Sequence, residues 1–152
     1  MTKSVSIIIV ILGGIIFADP PDWEDDPGAY QFTASMTALV EINGVQAGDS
    51  GDLLAAFDSD GNIRGLAIQL DDIPSGQYQN TILYEIQLRS NDDEDIIFFK
   101  YFDYSQCIIY TIEESYTFEI NGIIGDILTP HLLTIGNLEM DLGVDGYTCD
   151  GI

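Results

Sequence analysis

The chain has 152 residues, 46% of them hydrophobic, with 26 acidic against four basic side chains for a formal net charge of −22. That length predicts one domain, and that apolar fraction is enough to fill a core, so the acids do not signal disorder. So negative a surface repels nucleic acid and anionic membranes, keeps the particle soluble, and suits calcium or cationic partners.

Residues 1–18 read as a secretory signal peptide. Lys3 supplies the positive start, Val5 to Phe17 is a 13-residue apolar stretch, and Ala18 offers a small residue before Asp19. A membrane span needs roughly 20 residues, so no stable membrane insertion is expected after cleavage. The mature chain is expected to be secreted or held at the cell surface. Residues 19–29, DPPDWEDDPGA, form an acidic, proline-rich lead-in.

From Tyr30 to Ile42 every even position is apolar, which is the period of a half-buried strand. Asn43-Gly44 comes next as a tight hairpin signal, and Val45 to Ala47 begins a return strand. Leu53 to Phe57 and Ile63 to Leu70 read as two strands joined by the turn Asp58 to Asn62. Residues 71–80 are a loop punctuated by Pro74 and Gly76. Thr81 to Arg89 alternates again, Ser90 to Asp95 is an acidic turn, and Ile96 to Tyr104 has the aromatic content of a central strand. Cys107 to Ile112 and Tyr116 to Ile120 read as two strands around Glu113-Glu114, Asn121-Gly122 as a turn, and Leu132 to Ile135 as a last strand. The domain is placed at residues 30–136, with an acidic, glycine-rich tail at 137–152. About eight or nine short, evenly spaced strands predict an all-β fold, an antiparallel β-sandwich of the immunoglobulin-like or jelly-roll kind.

The residues for catalysis are sparse. His131 is the only histidine, so a histidine-rich metal-hydrolase site is excluded and a serine triad would depend on that one ring. No phosphate-binding glycine loop or nucleophile elbow is present. Carboxylate pairs arise by chance among 26 acids and carry no specificity for glycoside hydrolysis. No catalytic residue is assigned, and the chain is not expected to be an enzyme.

Calcium takes several oxygen ligands from carboxylates and carbonyls. Asp58, Asp60 and Asn62 resemble the first half of a calcium loop, although Gly61 and Gln69 fall where an EF-hand needs other residues; the same three also suit a plain hairpin turn. Asp92, Asp93 and Asp95 form a second candidate set, which Asp49 and Asp52 join if the loops converge. Sugar binding uses exposed aromatic rings; Trp23 and Tyr78 are the candidates outside strand runs, while Tyr101, Tyr104 and Tyr110 default to packing. Export favours a disulfide between the two cysteines, Cys107 and Cys149, but spacing alone leaves the bridge open.

Several runs resemble a module recurring in secreted and cell-surface proteins of marine bacteria. They are Ala38 to Gly44 (ALVEING), Gly51 to Phe57 (GDLLAAF), Arg64 to Ala67 (RGLA), Phe99 to Asp103 (FKYFD) and Thr117 to Glu119 (TFE). The resemblance spans about residues 30–135 and implies a non-catalytic extracellular β-sandwich. In that pattern a cysteine often precedes Arg-Gly; here it is Ile63. The tail DGYTCDGI resembles the opening of thrombospondin type 3 repeats, which implies calcium binding there.

The expected function is therefore structural or adhesive, through contacts with protein partners or further copies of the chain, in a cell surface, filament or particle coat. Calcium is the expected ion, and the long strand Tyr30 to Ile42 is the expected edge for pairing with a neighbour. The alternative is a carbohydrate-binding module.

Overall fold

A computed structural model describes residues 20–136. The predicted leader (1–18) and tail (137–152) lie outside the described residues. Ten strands occur, in chain order: β1 (Phe32–Ile42), β2 (Val45–Ala47), β3 (Leu53–Phe57), β4 (Ile63–Leu66), β5 (Ile68–Leu70), β6 (Leu83–Ser90), β7 (Ile96–Asp103), β8 (Ile108–Thr117), β9 (Ile123–Ile124) and β10 (His131–Ile135). No helix occurs among the described residues.

The strands form two sheets. One has the order β10-β1-β6-β5, with β2 and β9 also pairing with β1; the other has the order β4-β3-β7-β8. All ladders are antiparallel except β1–β9 and β1–β10, which are parallel. The alternation read from the sequence places the core. Ala34, Met36, Ala38 and Val40 of β1 meet Leu54 and Ala56 of β3, Tyr84, Ile86 and Leu88 of β6, and Ile97, Phe99 and Tyr101 of β7. All twelve are buried. Asn43 and Gly44 both take positive φ, 51° and 76°, as the tight β1–β2 hairpin requires.

Four expectations about organisation are corrected. First, β1 is not an edge. Val40 to Ile42 pairs with β2 on one flank and with β10 on the other, and the earlier residues pair with β6 and β9. Period two reports two faces; it does not report how many neighbours a strand has.

Second, Ile63 to Leu70 is not one strand of one sheet. It breaks at Ala67, so that β4 joins β3 while β5 joins β6. The chain crosses between sheets where Gly65 lies against β6; a Cβ there would stand 2.5 Å from the Gln87 carbonyl oxygen. Only a glycine lets the two backbones approach that closely.

Third, Glu113-Glu114 is not a turn. β8 runs through both residues as one ten-residue strand, because Ile112 points inward and the glutamates take positions that reach solvent.

Fourth, the part of the lead-in from Pro20 onward packs on the domain. Pro21 is buried, Trp23 meets Phe57 edge-on at 5.4 Å, and Asp25 accepts two hydrogen bonds from Arg89 at 2.9 and 2.8 Å.

The outer face of the first sheet has its own small apolar cluster. Leu39 and Leu83 are covered by Ile73, with Leu70 and Tyr78 alongside. The loop 71–80 therefore folds back as a cover.

Candidate functional site

The two predicted calcium turns meet, but around an arginine. Asp58 caps its own hairpin: Oδ1 accepts the backbone N–H groups of Asp60 and Asn62, each at 2.9 Å. Its Oδ2 accepts Asn62 Nδ2 at 2.9 Å and Arg64 Nε at 3.0 Å. Arg64 also reaches Asp95 Oδ2 at 3.1 Å and lies 4.5 Å from the centre of the Tyr30 ring. Ser90 Oγ donates to the same Asp95 oxygen at 2.8 Å. Burial pushes the Asp58 carboxyl up, but the bonds from Asn62, Arg64 and Asp60 outweigh it and hold its pKa below the ordinary value.

The remaining predicted ligands are dispersed. Asp93 accepts the Ile120 N–H at 3.1 Å, the Asp92 backbone N–H donates to Ser90 Oγ, and the side chain of Asp60 faces solvent. Among the described residues no group of three or more acidic, histidine or cysteine side chains is placed to hold a metal ion. Of the expected calcium set Asp58, Asp60, Asn62, Asp92, Asp93 and Asp95, the fold brings Asp58 and Asp95 together on the Arg64 guanidinium, and the Asp58 oxygens accept N–H donors.

A second polar cluster is buried between the sheets. Asp52, 4% exposed, accepts Tyr101 Oη at 2.5 Å, Tyr104 N–H at 2.8 Å and Asp49 N–H at 2.7 Å. Tyr84 Oη lies 3.4 Å from Tyr101 Oη, and Gln69 Nε2 ties Tyr84 to the Asp49 and Asp52 carbonyls. Every buried side-chain polar atom among the described residues has a partner, so the cluster is a closed polar joint of the kind that specifies one packing.

Desolvation, then the bond to Asp52, pushes the Tyr101 hydroxyl well above its ordinary pKa; desolvation does the same to Tyr84. An unfolded tyrosine ionises near pH ~10. The native preference for the neutral phenol is therefore fully present below about pH 10 and is lost as pH rises toward the raised native values. Each tyrosine that stays protonated removes about 1.4 kcal/mol per pH unit above that point. We expect urea midpoints to fall steeply between about pH 10 and 11.5 and the Tyr101→Phe chain to show a shallower alkaline limb. Equal slopes in both chains would contradict this assignment.

The aromatic candidates are placed apart. Trp23 is half-buried on Phe57 and Tyr78 is half-buried on the Leu39 cluster, so neither stands as an open stacking platform. Tyr101 and Tyr110 are core residues, and Tyr104, partly exposed, packs edge-on against Phe102.

A further exposed ring lies on the second sheet. Phe98 is paired directly across from Phe57 on the outer face of the second sheet and is 42% exposed. The two rings line a concavity of about 380 Å³ with Ser59, Gly61, Lys100 and Thr111. The Lys100 ammonium lies 5.4 Å from the Phe57 ring centre. Sequence reasoning misses this pair because both rings sit in strand runs, where burial is the default expectation.

Cys107 is disulfide-bonded; Cys149, the only other cysteine in the sequence, lies outside the described residues. His131 is in register with Ala38 at the start of β10. The chain matches no family model, no curated protein and no solved structure.

Proposed function

We propose that the protein is an exported, non-catalytic β-sandwich that works through protein–protein contact, as a structural or adhesive subunit. One observation carries this reading: the outermost strand segments of the six-stranded sheet present a series of uncovered apolar side chains. Ile123 is 85% exposed and Leu128 70%, with Ile127 and Leu132 also exposed. They lie on β9, β10 and the loop between them, whose turn is fixed by Asp126 accepting the Leu128 and Thr129 N–H groups at 2.7 and 2.8 Å. A fixed loop that holds apolar side chains in water has the character of a docking surface. The net charge of −22 opposes self-association in low salt, so assembly should strengthen with ionic strength or millimolar calcium.

Light scattering across protein and calcium concentration tests this. Association that weakens at least about tenfold in the Ile123→Lys, Leu128→Lys chain is expected, since charging the centre of an apolar contact typically costs well over 1.4 kcal/mol. A dispersed monomer at high protein and calcium concentration, with no partner contact at these residues, would count strongly against it.

The Phe57–Phe98 concavity supports a second reading, binding of neutral sugars. A pyranose face stacking on Phe98 would find hydroxyl partners at Ser59 and Thr111. Calorimetric titration with neutral oligosaccharides separates the two readings: heat that disappears in Phe98→Ser favours sugar binding, and no heat with any of them removes it.

A further inference from the structure

The loop between β9 and β10 is a rigid protrusion. β9 pairs with β1 as far as Met36, and β10 takes up the pairing at Ala38. Residues 125–130 therefore close a gap of about 7 Å along β1 with a chain able to span about 20 Å, and the excess must project from the sheet. The base is pinched: a Cβ on Gly125, whose φ is +66°, would stand 2.5 Å from the Thr37 carbonyl oxygen and 2.6 Å from the His131 nitrogen. The tip is a capped turn. Asp126 N–H donates to the Thr129 carbonyl at 3.2 Å, and Asp126 Oδ1 accepts Thr129 Oγ1 at 3.1 Å besides the Leu128 and Thr129 N–H groups. On this polar frame sit Ile127 and Leu128, both exposed. Turn tips ordinarily carry polar residues; two aliphatic side chains preorganised in water mark a contact.

A seat of matching character is on the same chain. The Phe57–Phe98 concavity has a volume of about 380 Å³, well above the roughly 150 Å³ that holds one benzene ring, so it has room for both aliphatic side chains. The chain does not fill its own seat, because Phe98, Ile127 and Leu128 all remain exposed. β9 and β10 belong to the six-stranded sheet and the concavity to the other, and no strand pairing among the described residues joins the two. Charge selects the same match. The lysine and arginine side chains among the described residues are Arg64, Arg89 and Lys100, and both arginines are engaged with carboxylates of their own chain. Lys100 lines the concavity, where Asp58 is held by Arg64, and Asp126 stands beside the protruding tip. On a surface this negative, the lysine-bearing concavity is where another copy's Asp126 meets least repulsion.

We propose that Ile127 and Leu128 of one copy seat in the Phe57–Phe98 concavity of the next, with Asp126 beside Lys100, joining copies head to tail. This rests on the reading of the protein as a contact-forming subunit and names its partner as a second copy. The contact is heterologous. Each end of an assembly keeps an unused loop or an unused concavity, and growth continues into a filament unless the geometry closes a ring.

Sedimentation of the full chain in about 0.5 M salt, which screens the mutual repulsion, tests this with two variants. Ile127→Lys, Leu128→Lys removes the apolar tip, and Phe98→Glu puts a carboxylate in the concavity. Each variant alone should associate at least about tenfold more weakly than the unaltered chain. Mixed in equal amounts, they should recover one contact, the intact tip of one in the intact concavity of the other. The mixture should therefore stop at mixed dimers, while the unaltered chain passes beyond dimers. Should either variant fail to fold, Leu128→Ser and Phe98→Ser serve with the same expectation. A mixture that stays monomeric while the unaltered chain associates overturns the proposal and leaves the contact-forming reading in place. So does a Phe98→Glu chain that associates as strongly as the unaltered one. An unaltered chain that stays monomeric at high concentration overturns the proposal and counts against that reading as well.

Discussion

Gly65→Ala is expected to destabilise the protein by about 3 kcal/mol. The added methyl would stand 2.5 Å from the Gln87 carbonyl oxygen and 3.2 Å from an Ile86 side-chain carbon. The first obstacle is backbone, so no rotamer change relieves it. β4 must move off β6, and with it the crossover that puts β4 and β5 into different sheets. With a urea m-value of about 2 kcal/mol/M, the midpoint should fall by about 1.5 M. Gly61→Ala is the control. It also has positive φ, 84°, but nothing lies within 4 Å of the new methyl, so only the backbone preference is lost, at about 1 kcal/mol. Equal losses at the two positions would show that the close approach to β6 is not the constraint.

Arg64→Leu is expected to cost about 3 kcal/mol near neutral pH, at the lower end of the range for deleting one partner of a buried ion pair. The side chains of Arg64 and Asp58 are only 12% and 9% exposed, and Asp95 is 30% exposed. Removing the guanidinium leaves two carboxylates near each other without their shared cation, and it also removes the contact with Tyr30. The pH dependence identifies the cause. Asp58 has a native pKa below its unfolded value. Its stabilisation is therefore present above about pH 4 and is lost as pH falls through the lowered native value. The deficit of Arg64→Leu should accordingly shrink in acid, as the stranded carboxylates protonate. A deficit independent of pH would assign the loss to packing of the arginine stem and Tyr30.

Much of the strand framework was legible because β1 and much of β6 bury one face, which writes alternation into the sequence, while β3 and the end of β7 are buried on both faces and read as short apolar or aromatic runs. Asn43-Gly44 was legible for a backbone reason: two adjacent residues with positive φ suit few other pairs. The hidden parts depend on neighbours distant in the chain. Nothing in Tyr30 to Ile42 says that both flanks are paired, and nothing in Ile63 to Leu70 says that the chain changes sheets, apart from one glycine. The acid clusters do lie mostly at turns, as their placement between apolar runs implies, with Glu113-Glu114 the exception. Their use was harder to read. Arg64 joins Asp58, six residues away, to Asp95, thirty-one residues away in sequence, and that second link has no local signature. Scarcity was the available clue. With four basic residues in the chain, each cation near the core had carboxylates at hand, and Arg64 and Arg89 are both in ion pairs. Asp52 was similarly opaque, because its partners Tyr101 and Tyr104 come from a strand and turn some fifty residues on.

The docking of the lead-in also gives the molecule a built-in optical probe. Trp23 is the sole tryptophan, and it rests on Phe57 from a segment otherwise held by the Asp25–Arg89 pair. Indole emission therefore reports the attachment of this strap, whereas the tyrosine signal is weighted toward the interior through Tyr84 and Tyr101. Asp25→Asn, which takes the charge off the strap's side of this largely buried pair, should shift the indole transition to lower temperature while leaving the tyrosine transition nearly in place, so that a single thermal scan resolves peeling of the strap from melting of the two sheets.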